Sequence, residues 1–292
     1  MITFLSVIED ARKKGIAVGH FNIGNLEQLK AFAHAGIKLN VPVAIGVSEG
    51  ERAYLGVHHV ADLVRSYNTE HAKPGGFRLF LNADHTHSLD KVREAAEAGF
   101  DEVLFDGGKL PMAENIAQTK EAVRIAKAIN PNIVVEGELG YIGSASEVRK
   151  ELPIGAAISG EDLTKPEDAK TFVAATGIDM LAPAVGNIHG MFANAPDPAL
   201  DIARIKAIQT AVGVPLVLHG GSGNTDADFI AAIGAGIAMI HISTELRVAW
   251  RKELENSLRT HPDEIAPSKL MPSVVDEVER VALARLRLFN KL

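Results

Sequence analysis

Eight short runs of apolar, largely β-branched residues recur along the chain, separated by segments with helical spacing. The runs are Ala17–Asn22, Val41–Val47, Arg78–Asp84, Glu102–Asp106, Ile133–Glu138, Met180–Val185, Pro215–His219 and Ile237–Ile242. Between them, Leu26–Leu39, Leu89–Ala98, Met112–Ile129, Pro166–Ala175, Asp201–Val212 and Asp226–Ile233 carry apolar residues three or four apart. This alternation implies βαβ units and a parallel sheet. Eight units predict a closed (β/α)8 TIM barrel, an α/β fold that needs ~250 residues; the chain has 292. A doubly wound open sheet would carry a glycine-rich dinucleotide turn after its first strand, yet that strand ends Gly19-His20-Phe21-Asn22. No linker or composition shift divides the chain, so residues 1–292 are read as one barrel domain. The tail repeats Val275, Val278, Ala282, Leu286 and Phe289 at helical spacing. It predicts a C-terminal helical extension over about 273–292, packed on the barrel or on a partner subunit.

Composition narrows the function. There is no cysteine, so disulfides and thiolate metal ligands are excluded. The net charge is −7 without a Lys/Arg block, which argues against a nucleic-acid partner. No apolar run approaches the ~18 residues of a membrane span. The N-terminus lacks a signal-peptide profile, and a cytoplasmic location is expected. An acidic chain can still take an anionic substrate, because helix N-termini and glycine-rich loops bind phosphate locally. Two long loops are expected: Tyr67–Gly76 before strand three, and Gly140–Leu163 after strand five. The second leaves the catalytic end of the barrel and is read as a lid.

In such barrels the chemistry sits at the carboxyl ends of the strands. Three of those ends carry a histidine: Asp84-His85, Gly186-Asn187-Ile188-His189-Gly190 and Leu218-His219-Gly220-Gly221. Three imidazoles meeting at one rim make a divalent-metal site with an open position, and Asp84 is the proton-transfer group beside it. The same rim carries Asn22, Ser48, Asp106, Glu136, Glu138, His241, Ser243 and Thr244. His20 lies within strand one and is read as a hydrogen-bonded structural residue. His34, His58, His59, His71 and His261 are read as solvated or structural. Gly220-Gly221-Ser222-Gly223 after strand seven and Ser243-Thr244 after strand eight have the placement of a phosphate site, with backbone N–H groups and hydroxyls as donors.

Taken together, these residues resemble the class II, metal-dependent ketose-bisphosphate aldolase family along nearly the whole chain. The resemblance includes Phe21-Asn22, Asn25-Leu26-Glu27, Asp84-His85, Glu136-Gly137-Glu138-Leu139-Gly140, Leu163–Pro166, Thr176-Gly177-Ile178-Asp179, Gly186–Gly190, His219–Gly223 and Thr244-Glu245-Leu246. It implies zinc or another divalent metal at His85, His189 and His219, with Asp84 transferring the proton. Glu138 and Asp106 match positions of an alternative metal site. Gly190, Gly220, Gly221, Ser222, His241, Ser243 and Thr244 match the phosphate and ketose loops, and Asn22 and Ser48 join the substrate site. The resemblance also implies a sugar phosphate substrate, a monovalent cation (Na+ or K+) nearby, and a homodimer or homotetramer. No strand contains a lysine, as a Schiff-base aldolase would need.

Two departures bear on substrate choice. His241 stands where the family usually has an asparagine near the bond being cleaved. The segment after His189 reads Gly190-Met191-Phe192, without the lysine the family often carries there. An aldolase with specificity altered from fructose 1,6-bisphosphate is the expectation. Two rivals are a metal-dependent hydrolase, because His85-Thr86-His87 has the form of a His-x-His pair, and a non-catalytic aldolase-like subunit. The first usually places that pair on strand one; the second would have lost ligands or Asp84.

Overall fold

A computed structural model describes residues 2–143, 147–150, 160–192 and 198–292. Eight parallel strands close into a barrel: β1 (Val18–Asn22), β2 (Val43–Val47), β3 (Leu79–Thr86), β4 (Glu102–Phe105), β5 (Val134–Leu139), β6 (Met180–Pro183), β7 (Leu216–Leu218) and β8 (Ile237–Ile242). Each strand pairs with its neighbours in sequence, and β1 pairs with β8 to complete the ring. The expected TIM barrel is the observed fold.

The helices outside begin and end where local chemistry dictates. Helix α1 (Phe4–Lys14) is capped by Thr3 and ends on a left-handed Gly15. Helix α2 (Leu26–Leu39) starts at Asn25, whose side chain accepts from Gln28 N. Helix α3 (Glu49–Leu55) carries a full capping box between Ser48 and Glu51, which satisfies two otherwise orphaned N–H donors reciprocally. It is followed by α4 (Val57–His71), α5 (Leu89–Ala98), α6 (Met112–Ile129), α7 (Pro166–Thr176), α8 (Ile202–Val212), α9 (Asp226–Ala235), α10 (Thr244–Thr260), α11 (Pro267–Leu270) and α12 (Pro272–Asn290). Neither α1 nor α10 was anticipated from periodicity. Half of the loop expected over Tyr67–Gly76 is the end of α4, which runs to His71.

Two apolar layers hold the barrel. One lies between strands and helices and includes Val275, Val278, Ala282, Leu286 and Phe289 of α12. The C-terminal helix therefore docks on the barrel, beside α2, and Ala17 N donates to Phe289 O at 3.0 Å. The other layer fills the amino-terminal half of the barrel lumen with Val18, Phe80, Val134, Met180, Val217 and Met239, closed below by Phe4 and Ile8 of α1. Inward positions repeat every second residue. One step further along the strands the lumen turns polar, with His20, Asn82, Glu136, His219 and His241 all buried. That change along the lumen is what positions the site.

Of Gly140–Leu163, residues 144–146 and 151–159, Gly155 among them, lie outside the described residues, so the lid reading largely does too. Within the described part, Val148–Arg149 pairs in parallel with Met191–Phe192. Among the described residues no helix is long and apolar enough to cross a membrane.

Candidate metal centre and active site

The carboxyl end of β3 departs from regular strand geometry. Its register against β4 shifts between Ala83 and Thr86, and His85 has φ +40°. A non-glycine residue in the left-handed region is uncommon and clusters at functional sites. The distortion has a purpose visible in the geometry. Successive residues of a regular strand point to opposite faces, yet here Asp84 and His85 both reach the barrel mouth. Arg52, buried on α3, braces the bend. Its guanidinium donates to Val47 O at 2.6 Å, Asp84 O at 3.1 Å and Thr86 Oγ1 at 3.0 Å.

His85 meets His189 and His219 at the mouth. The ring centroids are 4.6 Å (His85–His189), 5.1 Å (His85–His219) and 5.7 Å (His189–His219) apart, all edge to face. One donor atom each from His85, Glu138, His189 and His219 lies within 4.8 Å of the others. Three imidazoles at that spacing fit a divalent ion with one position left open, and Glu138 lies close enough to be an alternative donor. His189 Nε2, His219 Nδ1 and both Glu138 oxygens are buried without a hydrogen-bond partner. Orphaned buried polar atoms are costly, and a metal ion would satisfy the two imidazole nitrogens. Asp106 engages His85 Nδ1 at 2.8 Å and accepts from Gly108 N at 3.1 Å. It thus orients the imidazole.

The site's electrostatics favour ligation. Burial holds His189 well below the ordinary imidazole range and lowers His219 to about 3, so both keep lone pairs available. Burial acts against a charged His85 as well, but Asp84 and Asp106 outweigh it and raise this imidazole well above its usual value. Burial opposes ionisation of Asp84. The imidazoles of His85, His20 and His219 and the Asn22 amide outweigh it, and the carboxyl lies below the usual range.

Asp84 itself is held by Asn22, whose Nδ2 donates to Oδ2 at 2.8 Å. Oδ1 is buried without a hydrogen bond, 3.8 Å from His85 Nε2 and 3.6 Å from His241 Nδ1. Behind Asn22 lies a support that the sequence reading missed. Glu51 Oε2 accepts from Ser48 N, Ser48 Oγ and Asn22 Nδ2, and Glu51 Oε1 accepts from Arg247 Nη2 at 2.6 Å. The capping-box signature of Ser48 and Glu51 was the available signal.

His20 is not the hydrogen-bonded structural residue expected. Neither ring nitrogen has a hydrogen-bond partner, although the residue is fully buried. Instead it lies flat against His241, with centroids 3.4 Å apart and planes at 7°. Burial lowers it to about 4, so two neutral rings stack without repulsion. His241 in turn lies 3.8 Å from His219, ring to ring.

A cavity of about 510 Å³ opens over these groups, lined by Asn22, Ser48, Asp84, His85, Asp106 and His189 together with Gly190, Gly220, Ser222, His241, Ser243 and Thr244. The second set includes most of the expected phosphate loops. Gly220 has φ +59°, and a Cβ there would collide with Ile188 O. Ser222 Oγ accepts from Ser243 N and Glu245 N, each at 3.3 Å, and Ser243 Oγ is buried without a partner. Gly221 departs from the expectation. Its N–H donates to His241 O at 3.0 Å and it does not line the cavity, so that donor is spent inside the barrel. Gly190 is covered by Glu147 and Arg149, and Arg149 Nε donates to His189 O at 2.9 Å.

Comparison with known proteins decides the family. Residues 2–292 match the class-II fructose-bisphosphate aldolase family. The chain belongs to this family. It is 31% identical over 291 residues to a probable fructose-bisphosphate aldolase of Bacillus subtilis (strain 168), covering 99% of this chain and 98% of that one. It is also 31% identical over 291 residues to a fructose-bisphosphate aldolase of Staphylococcus aureus (strain Mu50 / ATCC 700699), covering 99% and 97%. Among solved structures, the YdjI aldolase from Escherichia coli K12 matches with a TM-score of 0.79 and 30% identity, over 99% of this chain and 96% of that one. As a class II aldolase the chain is a metal-dependent carbon–carbon lyase, and the hydrolase and non-catalytic readings fall away.

Proposed function

We propose that the chain cleaves and forms a carbon–carbon bond of a ketose phosphate other than fructose 1,6-bisphosphate, with His85, His189 and His219 holding a zinc-type ion and Asp84 transferring the proton. The observation that carries the residue roles is the pairing of a four-donor cluster within 4.8 Å with the unpartnered Asp84 Oδ1 beside it. A divalent ion held there supplies Lewis-acid stabilisation of the negative charge that develops on the ketone side as the bond breaks. Asp84 does the proton work. Its depressed carboxyl is ionised and ready to take the proton of the hydroxyl two carbons from the ketone, and it returns that proton in the condensing direction. Asn22 holds one oxygen so that the other faces the cavity. Glu138 and Asp106 support the cluster, Glu138 as an alternative donor that leaves a position for substrate when the three imidazoles hold the ion and Asp106 as the orienting partner of His85.

The hydroxyls of Ser222 and Ser243, with the Gly220 and Thr244 segments, suit a phosphate at the ketose end. His241 supports the altered specificity. Its ring, backed by His20, lies against Asp84 Oδ1 in the part of the cavity nearest the reacting carbons, where a smaller amide would leave more room. The family also supports a homodimer or homotetramer. An aldol-cleavage screen over phosphorylated and non-phosphorylated ketoses, with and without chelator, tests this reading. The expected result is chelator-sensitive turnover that is best on a ketose phosphate other than fructose 1,6-bisphosphate. Turnover that survives metal removal defeats the ion assignment, and fructose 1,6-bisphosphate as best substrate defeats the specificity.

A further inference from the structure

A second cavity, of about 710 Å³, lies at the opposite end of the barrel from the metal centre. Val18 and Phe80 reach it from the amino-terminal ends of β1 and β3, Val7 and Lys14 from α1, and Lys73 and Arg78 from the segment that joins α4 to β3. Val18 and Phe80 belong to the apolar layer of the lumen, and that layer lies between this cavity and the catalytic mouth. The wall is built rather than loose. Lys73 N donates to Phe77 O at 2.8 Å, Gly76 N donates to Lys73 O at 3.1 Å, and Asn40 Oδ1 accepts from Phe77 N at 3.2 Å. The volume is that of a small-molecule site, which is roughly 300–1,000 Å³.

Two cations there lack a counter-charge. Arg78 is partly buried, its guanidinium carbon is 5.6 Å from the Phe80 ring centroid, and its Nε is buried with no hydrogen-bond partner. The Arg78 charge acts on the Asp101 carboxyl, but Asp101 accepts from Leu81 N at 2.9 Å and forms no ion pair with Arg78. Lys73 is exposed and, like Arg78, enters no ion pair among the described residues. Lys14 is already paired, with Asp10 at 2.7 Å. A guanidinium resting on an aromatic face still presents its N–H fork edge-on, and that fork matches a carboxylate bidentately. The side chains of Val7, Val18 and Phe80 offer neither donor nor acceptor. A sugar phosphate or a nucleotide would leave its hydroxyls unpaired against them, which is costly.

We propose that this cavity binds a small amphiphilic carboxylate, with the carboxylate on Arg78 and Lys73 and an aliphatic or aromatic body against Val7, Val18 and Phe80. The site is separate from the aldol reaction and does not depend on the metal assignment. A ligand there touches α1, the 73–76 turn and the start of β3 at once, and it stabilises the folded chain by mass action.

The test is a calorimetric titration of the full chain with octanoate. One octanoate per chain is expected, with a dissociation constant of about 1 mM or below. Acetate lacks the body and octanol lacks the charge, and each should bind at least about tenfold more weakly. Arg78→Gln should weaken octanoate about tenfold or more, the usual weight of a hydrogen bond to a charged group. Lys73→Gln, at the exposed rim, should cost no more than about threefold. A carboxylate also has affinity for a zinc-type ion, so the titration is repeated on the chain stripped by a chelator, where affinity should be unchanged. Crystals soaked in octanoate brominated at its terminal carbon should show the bromine beside Val18 and Phe80. No saturation up to about 10 mM, octanol binding as well as octanoate, Arg78→Gln binding octanoate undiminished, affinity lost with the metal, or bromine elsewhere would each overturn the proposal. If Arg78→Gln does not fold, the bromine position and the acetate and octanol comparisons decide.

Discussion

The Asn22 amide donates to Asp84 Oδ2 at 2.8 Å, and Asp84 Oδ1 is buried with no hydrogen bond of its own. One oxygen of this carboxylate is thus anchored and the other is left for chemistry. Replacing Asp84 by Asn keeps the shape and removes the base. Turnover should fall by about 10²- to 10⁴-fold, the usual contribution of a positioned acid–base group, while bound zinc measured by elemental analysis stays unchanged. Asn22→Leu, which frees the carboxylate, should lower kcat with the same zinc content and by a smaller factor. Loss of zinc in Asp84→Asn would show that the carboxylate is a ligand instead.

Removing the ion should silence the enzyme and soften the fold together. A ligand that binds only the folded chain adds about 2.7 kcal/mol of stability at a hundredfold excess over its dissociation constant. Chelation should therefore lower the melting temperature reversibly, and returning zinc should restore both melting temperature and turnover.

Acidification should weaken ion binding through His85. Burial lowers this imidazole, but Asp84 and Asp106 outweigh burial and raise it well above 6.5 in the metal-free chain. A bound ion replaces that proton, so uptake near neutral pH should release about one proton from His85, and affinity should fall as pH falls. Calorimetric titrations in buffers of different ionisation enthalpy read the proton directly. The sign for the metal-free fold is opposite. A group raised in the folded state stabilises fully below its unfolded value of 6.5, and that contribution is lost as pH climbs through the folded-state value.

His241→Asn should move substrate preference toward fructose 1,6-bisphosphate. A change of one side chain in a recognition pocket is worth about 1–3 kcal/mol, or roughly 10- to 200-fold in kcat/KM ratio. Competition assays between the two substrates measure the ratio; an unchanged ratio removes His241 from the account of specificity.

Gly220→Ala should cost stability as well as substrate binding. The residue sits at φ +59°, and the added methyl meets Ile188 O. Forcing a side chain into that backbone costs of order 1–3 kcal/mol, which a thermal melt would register. KM for the phosphorylated substrate should rise in parallel, because the same turn shapes the cavity wall.

Much of the architecture could be read from residue patterns. The alternation of β-branched runs and helical spacing implied the barrel, and His85 and His219 stood at strand ends whatever the register, whereas His189 lies in the connection after β6, which ends at Pro183. What could not be read is the phase of each strand. Glu102 looks like a strand's polar first residue until its pairing with Asn82 turns it inward. The bend that brings His85 beside Asp84 leaves no local mark, because its brace, Arg52, comes from helix α3, some thirty residues earlier. His20 misled for a related reason. A histidine in a strand suggests a hydrogen bond, whereas here the partner is another ring, and stacking has no linear signature.

Gly46 on β2 adjoins this stack, and a methyl group there would strike the His20 ring. The two positions are therefore not independent under selection. A line of descent that refashions this floor does best to shrink residue 20 before anything larger than hydrogen is admitted at 46, since the opposite order passes through an overpacked step that costs about 1–3 kcal/mol.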